Sequence, residues 1–243
     1  MLKEYNKLWV FGDSFSTPDL YVKSSESYWG LTASQLSIPI VKNCSRPVNS
    51  LDTVCQLLIG MQSEFDWEKD LFLISIPPLE RITVFDNFKD TKYFGNTISI
   101  SDWSIEQFLI PAHNGLVSLQ NFGEDKRLII HDDRSWLETQ ALKTIFLLTS
   151  WLDSMHANYV IINVCGRDLD ENNLWGPTEF LLPYCKQHPR CILFKNTYHS
   201  VNFDINPPAD FDKYGWNGHH GPAGNKYFFE QSLLPTMKKD KLC

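Results

Sequence analysis

The sequence has little of what secreted, membrane-spanning or disulfide-stabilised proteins require. Its six cysteines are scattered with no CxxC pair, and a chain of 243 residues needs no disulfide scaffold, so we expect free thiols. No run approaches the roughly 20 apolar residues that span a bilayer, and the first residues lack the apolar core of a signal peptide. These absences predict a cytoplasmic protein without a membrane span.

Positive charge is also scarce. The chain has 22 Lys and Arg against 29 Asp and Glu, a formal net charge of −7, and no basic stripe that would bind phosphates. We therefore expect no nucleic-acid partner. The chain also has no Gly/Ser-rich or Pro-rich linker and no internal repeat. With 43% hydrophobic residues, it is predicted to form one domain over residues 1–243.

Alternating strand and helix patterns predict an α/β fold with about five mainly parallel strands. Short apolar runs typical of buried strands occur at Leu8–Phe11, Ile40–Lys42, Asp70–Ile76, Tyr159–Val164 and Cys191–Phe194. Helical patterns lie at Tyr28–Leu36, Asn49–Met61, Trp136–Met155 and Gly224–Leu234. Residues 79–131 have no clear periodicity, so we expect an irregular insertion there, either a lid over the active edge of the sheet or a segment without function.

Two of the helical patterns have a distinct apolar face. In the second, Asn49 or Ser50 is the predicted N-cap. Its predicted buried face consists of Leu51, Val54, Cys55, Leu58 and Ile59. In the third and longest, the buried stripe is Leu137, Ala141, Leu142, Ile145, Leu148 and Leu152.

The stretch Lys7–Ser16, KLWVFGDSFS, places a serine on a tight turn. Because Gly12 and Asp13 turn the chain directly after the first strand, Ser14 is expected at the carboxyl end of that strand, where open α/β sheets hold their ligands. Backbone N–H groups beside such a hydroxyl can stabilise the oxyanion of an acyl intermediate, which suits a nucleophile. By itself, the Gly-Asp-Ser tripeptide is more often a plain turn.

A serine nucleophile needs a base, and the glycine-rich loop Asn217–Asn225 supplies two histidines before the last helix. In a doubly wound fold this loop reaches the same sheet edge as Ser14. His219 is the predicted base, which takes the Ser14 proton and returns it to the leaving alcohol. His220 is predicted to contact substrate. The alternative is that both histidines are ordinary loop residues.

Together these motifs resemble the SGNH, or GDSL, hydrolases. The resemblance rests on GDSFS after the first strand, on a second strand ending at Asn43, and on GHHGPAGN before the last helix. It implies a flavodoxin-like three-layer α/β/α sandwich and a serine esterase for small acyl esters, such as O-acetyl groups of glycans, with no metal or organic cofactor. Members also occur in bacteriophage virions and tails, and a phage-encoded protein in a homo-oligomer or virion assembly would suit this chain.

Several positions depart from the family pattern. The family usually has aspartate two or three residues before the histidine, where this chain has Asn217 and Trp216. Either Asn217 orients the His219 ring without stabilising its cation by charge, or Asp212 reaches the ring from nearby. In place of the family's second-block glycine, this chain has Val48 and Asn49. The Val48 N–H and the Asn49 side chain are therefore predicted oxyanion donors, beside the N–H of Ser14.

The third block departs further. Where the family has glycine and asparagine, this chain has Pro77 and Pro78, which carry no N–H, so Arg81 is the predicted replacement donor. Loss of one donor typically costs roughly 10²–10³ in rate. A second hypothesis therefore stays open: a binding or structural module, such as a virion or tail component, with weakened catalysis. A protease or thioesterase would use the same residues with a different pocket.

The segment DLDENNLWGPTE at 168–179 has the acidic spacing of a calcium loop. The residues at ligand spacing are Asp168, Asp170, Asn172 and Glu179. However, Asn173 stands where such loops need glycine, and Pro177 interrupts the loop. We therefore favour a solvated acidic loop and expect no metal.

Overall fold

A computed structural model describes residues 3–20, 22–46, 49–77, 81–84, 96–99, 134–164, 178–193 and 220–243. Its strands are β1 (Lys7–Phe11), β2 (Ile40–Asn43), β3 (Asp70–Ile76), β4 (Arg81–Val84), β5 (Asn96–Ser99), β6 (Asn158–Asn163) and β7 (Cys191–Ile192). Its α-helices are α1 (Tyr28–Gln35), α2 (Leu51–Gly60), α3 (Arg134–Ser154), α4 (Thr178–Gln187), α5 (Pro222–Phe228) and α6 (Leu234–Lys239). A π-helical turn, Phe229–Leu233, joins α5 to α6, and 3₁₀ turns lie at Ser24–Glu26 and Gln62–Glu64. Among these helices, none is both long and apolar enough to cross a membrane.

Five strands form one parallel sheet in the order β2-β1-β3-β6-β7. In the register of the central strands, Lys7 pairs with Ile40 on one side and with Asp70 on the other. Counting only the strands of this sheet, the order is the 2-1-3-4-5 order of flavodoxin-like folds. The predicted α/β class, with about five parallel strands, is confirmed.

The strand order places a switch point between β1 and β3. The chain leaves β1 toward β2 on one side, and then crosses to β3 on the other side of β1. In open α/β sheets, the connections that follow the two strands at such a point diverge and leave a crevice at the carboxyl ends of these strands. Open α/β sheets bind their ligands in this crevice, and Ser14 lies just beyond the end of β1.

Helices cover both faces of the sheet, because successive strand side chains point to opposite faces. On one face, α1 and the C-terminal helices pack against Leu8, Val10, Leu71, Leu73, Val160 and Ile162. On the other, α2, α3 and α4 pack against Trp9, Phe11, Phe72, Ile74, Tyr159 and Ile161. All of β3 is buried, as expected for a central parallel strand. The described part of the chain is therefore a three-layer sandwich.

The helix caps and faces agree with the sequence predictions at most positions. Ser50 is the N-cap of α2 and accepts the Thr53 N–H at 3.2 Å. The described stripe of α3 is buried: Ala141, Leu142, Ile145, Leu148 and Leu152. In α2, Leu58 is fully buried, but Ile59 is 54% exposed, so its predicted place on the buried face is wrong. Ile59 lies about 100° around the helix from Leu58, beyond the edge of the apolar face.

Several predictions fall wholly or partly outside the described residues. In the expected insertion at 79–131, β4 and β5 pair antiparallel, with Arg81 opposite Ser99, and most of the remainder is not described. Most of the acidic loop at 168–179 also lies outside the described residues. The helix α4 was not predicted. Described cysteines are free thiols: Cys44, Cys55, Cys185, Cys191 and Cys243.

Candidate active site

Ser14 lies on a closed turn directly after β1 and is 8% exposed. The Ser16 N–H donates to the carbonyl oxygen of Asp13 at 3.0 Å, and the Thr17 N–H donates to that of Ser14 at 3.4 Å. The side chain of Asp13 is fully buried, and its Oδ1 accepts the Phe15 N–H at 3.2 Å. An aspartate that binds the N–H two residues ahead is a common way to fix a turn. The backbone on both sides of Ser14 is thus held by local bonds.

Two asparagine side chains hold the same turn from neighbouring segments. Asn49 Nδ2 donates to the carbonyl oxygen of Gly12 at 2.8 Å. Asn43 Nδ2 donates to the carbonyl oxygen of Ser16 at 2.7 Å, and its Oδ1 accepts the Ser45 N–H at 2.9 Å. The end of β2 and the segment before α2 are therefore both fastened to the turn that carries Ser14.

Three buried hydroxyls lie beneath this turn. Ser16 Oγ is 2.6 Å from the Tyr28 hydroxyl and 2.9 Å from Ser75 Oγ, and the Tyr28 hydroxyl is 2.5 Å from Ser75 Oγ. All three residues are fully buried. Burial, opposed by these hydrogen bonds, raises the pKa of Tyr28 to about 12, with a smaller upward contribution from the Asp13 carboxylate. The phenol therefore stays protonated at neutral pH and joins α1 and β3 to the turn.

Glycine at position 12 permits this close packing. A Cβ added there would lie 2.8 Å from Ser16 Oγ and 2.8 Å from the Ser75 Cβ. Real Cβ atoms do not approach neighbours so closely, so any larger residue would push the turn away from β3. The glycine of the Gly-Asp-Ser motif is therefore explained by the space available.

The loop that carries the histidines is joined to the same network by Asn225. The Asn225 side chain is fully buried, and its Nδ2 donates to the carbonyl oxygens of His220 at 3.0 Å and Gly221 at 3.1 Å. Its Oδ1 accepts the backbone N–H of Tyr28 at 3.0 Å. Because the Tyr28 hydroxyl contacts Ser16, one residue of α1 connects the His220 backbone with the Ser14 turn.

The structure describes only part of the predicted site. Ser14, Asn49 and His220 are described with their side chains, whereas only the backbone of Arg81 is described, in β4. His220 is partly buried, and Asn49 is 6% exposed. The remaining predicted site residues lie outside the described residues: Val48, Asp212, Asn217 and His219.

Sequence patterns did not identify the supporting residues, for different reasons. Ser75 is the one hydroxyl in the apolar run Leu71–Ile76, and a buried polar group needs a partner, so it could have been identified. Tyr28 and Asn225 are 197 positions apart, and no local pattern connects them. Only the fold brings these two together.

The described side chains of the Ser14 turn and of the segments bonded to it supply hydroxyls, carboxamides and the Asp13 carboxylate. Across the described ranges, no group of three or more His, Cys, Asp and Glu side chains could hold a metal ion. A serine hydroxyl on a turn held by hydrogen bonds, with an amide and a histidine in segments connected to that turn, is a combination that acyl transfer can use.

No protein-family model and no curated protein matches the chain. Solved structures to which the chain is similar include two of GDSL type. One is a member of the lipolytic protein G-D-S-L family from Veillonella parvula, with 11% identity over 94% of this chain and 96% of that chain and a TM-score of 0.47. The other is described as a GDSL-like lipase from Parabacteroides merdae, with 11% identity over 100% of this chain and 99% of that chain and a TM-score of 0.44.

Proposed function

We propose that the protein is a serine hydrolase that cleaves small acyl esters, such as O-acetyl groups of glycans. Ser14 is the proposed nucleophile and His219 the proposed general base. The observation that supports this most strongly is the position of Ser14, on a rigid turn at the switch point between β1 and β3. The substrate class is suggested by the resemblance of the GDSFS and GHHGPAGN motifs to the SGNH hydrolases.

In the proposed reaction, Ser14 Oγ attacks the acyl carbon while His219 takes the hydroxyl proton. The former carbonyl oxygen becomes an oxyanion, for which the N–H groups of Ser14 and Val48 and the Asn49 amide are the proposed donors. Collapse of this intermediate breaks the ester bond, and His219 returns the proton to the leaving alcohol. Water, activated by the same histidine, then attacks the acyl group, releases the acid and restores Ser14.

The surroundings of His219 complete the proposal. Asn217 or Asp212 orients the imidazole; only the aspartate would also stabilise its cation by charge. His220 is proposed to contact the substrate, and Arg81 to act as a further donor to the oxyanion. Among these residues, His220 has an observed anchor, the hydrogen bond from Asn225 to its carbonyl oxygen.

One observation favours the second candidate, a binding or structural module with weakened catalysis. Pro77 follows β3 at the switch point and has no N–H to donate to an oxyanion. If Arg81 does not replace that donor, the reaction would be roughly 10²–10³ slower than with a complete oxyanion hole. A glycan or virion partner would then be the relevant ligand.

The test is hydrolysis of p-nitrophenyl acetate by the wild type and by Ser14→Ala, His219→Ala and His220→Ala. We expect the first two variants to lose about 10³-fold or more in kcat/KM, because nucleophile and base act as a unit. His220→Ala is expected mainly to raise KM. Ser34→Ala, at an exposed serine of α1, is the matched control and should keep wild-type rates. Equal rates for the wild type and Ser14→Ala would contradict the hydrolase proposal and favour the binding module.

A further inference from the structure

We infer that Asn225 is a positioning residue, which together with Tyr28 sets the distance between the Ser14 turn and the histidine loop. This role rests on the proposed function, since it assigns Asn225 a task in bringing His219 to Ser14. In this role, Asn225 does not itself contact the substrate.

The amide of Asn225 is bonded on every side. Its oxygen accepts the Tyr28 N–H at 3.0 Å, and its two N–H hydrogens go to the carbonyl oxygens of His220 at 3.0 Å and Gly221 at 3.1 Å. A flipped amide would place its oxygen against two carbonyl oxygens, so only one orientation satisfies this fully buried group. The carbonyl groups of His220 and Gly221 are therefore held at one position relative to the start of α1.

Tyr28 connects Asn225 to the turn that carries Ser14. Its backbone N–H is bound by Asn225, while its hydroxyl is bonded to Ser16 and Ser75. The ring packs edge-on against Phe228 of α5, with centroids 5.8 Å apart and an interplanar angle of 89°. Because α5 carries both Asn225 and Phe228, the same helix contacts the backbone and the ring of Tyr28.

Only one or two residues along the chain separate the anchored groups from the proposed reacting groups. His219 is one residue from the anchored His220 carbonyl, and Ser14 is two residues from Ser16. A proton passes from serine to histidine only at hydrogen-bond distance, about 3 Å, and a misplacement of about 1 Å costs roughly 10²-fold in rate. A connection that fixes both segments therefore bears directly on the rate of the chemical step.

Asn225→Asp tests this role with little change in volume. The aspartate keeps an acceptor for the Tyr28 N–H, but it has no hydrogen to donate to the carbonyls of His220 and Gly221 when ionised, and only one when protonated. We expect kcat for p-nitrophenyl acetate to fall about 10- to 100-fold, with KM changed less than about threefold, since substrate contacts remain.

Asn158→Asp is the matched control. Asn158 is also a buried amide, 3% exposed, and its Nδ2 donates to the carbonyl oxygens of Glu68 at 2.8 Å and Asp70 at 3.2 Å. It lies at the amino end of β6, whereas Ser14 follows the carboxyl end of β1, so the two residues are at opposite ends of the parallel strands. We expect this variant to lose some thermal stability, less than Asn225→Asp because the new carboxylate can pair with Lys3 Nζ, which already donates to Asn158 Oδ1, and to keep the wild-type kcat at temperatures where it is folded.

Two further measurements separate positioning from loosening of the fold. Added imidazole, a mobile base, should partly restore the turnover of both Asn225→Asp and His219→Ala and leave Asn158→Asp unchanged, once the direct reaction of imidazole with the ester, measured with Ser14→Ala, has been subtracted. If Asn225→Asp does not fold, Tyr28→Phe replaces it, because Ser16 and Ser75 remain bonded to each other without the phenol. For Tyr28→Phe we expect a smaller fall in kcat, about 3- to 10-fold, again with little change in KM.

The outcomes distinguish the two proposals. A folded Asn225→Asp with wild-type kcat, or a loss matched by Asn158→Asp, overturns the positioning role while Ser14 and His219 remain essential. A wild type whose turnover does not depend on Ser14 and His219 overturns the hydrolase proposal and the positioning role together.

Discussion

The side-chain amide of Asn49 donates a hydrogen bond to the carbonyl oxygen of Gly12, and this 2.8 Å contact joins the residue before the α2 cap to the turn that carries Ser14. The same carbonyl accepts the Arg46 N–H at 3.3 Å. The Gly12 carbonyl thus accepts two hydrogen bonds from the segment between β2 and α2. These bonds fix the start of the turn at the end of β1.

Asn49→Ala is expected to affect both stability and rate. Loss of a buried hydrogen bond should cost about 1–2 kcal/mol in the free energy of unfolding, measured with urea. Loss of a proposed oxyanion donor should lower kcat/KM by roughly 10²–10³. Asn158→Ala, which removes a buried amide at the opposite end of the parallel strands, should cost stability alone. An Asn49→Ala variant that is destabilised yet fully active would leave Asn49 as a purely structural residue.

Gly12→Ala is expected to displace the turn. Its Cβ would lie 2.8 Å from Ser16 Oγ and from Ser75 Cβ, and overpacking of this kind typically costs 1–3 kcal/mol. Because the displaced backbone carries Ser14, activity should fall more than tenfold in the fraction that stays folded. The control is Gly60→Ala, at the exposed end of α2, which should change stability by less than about 1 kcal/mol. Wild-type activity and stability in Gly12→Ala would contradict the close packing.

Tyr28→Phe is expected to change how stability depends on pH. The folded-state pKa of Tyr28 is raised from 10.0 to about 12, so the folded protein binds this proton more tightly than the unfolded chain. The stabilisation is fully present below pH 10 and is lost as pH rises toward 12. Over that range the wild type should lose about 2–3 kcal/mol that the phenylalanine variant does not lose.

Urea unfolding of both proteins at several pH values between 8 and 11 measures the first half of this difference, about 1.4 kcal/mol by pH 11. Other buried tyrosines with raised pKa values, Tyr5 and Tyr159, contribute to both proteins and cancel in the comparison. The two curves should converge with rising pH. Parallel curves across this range would show that Tyr28 is not held protonated by its burial.

Two neighbouring residues of α2 give a direct test of the sheet packing. Leu58 is fully buried against the sheet, whereas Ile59 is 54% exposed. Leu58→Ala should therefore cost about 2–5 kcal/mol in the free energy of unfolding, and Ile59→Ala within about 0.5 kcal/mol. Thermal or urea unfolding of the pair checks this. Similar losses for both would place the helix in a different rotation on the sheet.

Much of the sheet could be predicted from the sequence because its strands are short and apolar. The run Asp70–Ile76 is bounded by Pro77, and every residue in it is buried, so composition and length alone indicate a central strand. The helix α4 was missed because Pro183 lies inside it, and proline normally argues against a helix interior. Propensity was outweighed there by packing of α4 against α3, with Cys185 buried beside Leu142.

The candidate site could be predicted only where its residues are close in sequence. The strand, the tight turn and Ser14 follow one another, so the position of Ser14 at the sheet edge could be inferred. The connection from Asn225 through Tyr28 to Ser16 joins distant segments by side-chain hydrogen bonds, which no periodicity encodes. The amide of Asn49 was predicted as an oxyanion donor, and its bond to Gly12 became visible only in the structure.

The central claim is that Ser14 is an activated nucleophile, and labelling with a fluorophosphonate probe tests it most directly. The probe forms a covalent bond with a serine oxygen only where a base and oxyanion donors activate it, and peptide mapping by mass spectrometry identifies the serine. We predict stoichiometric labelling of Ser14, slowed strongly in His219→Ala and unchanged in Ser34→Ala. No labelling of Ser14 in the folded wild type, or labelling unaffected by His219→Ala, would contradict the assignment of Ser14 and His219 as nucleophile and base.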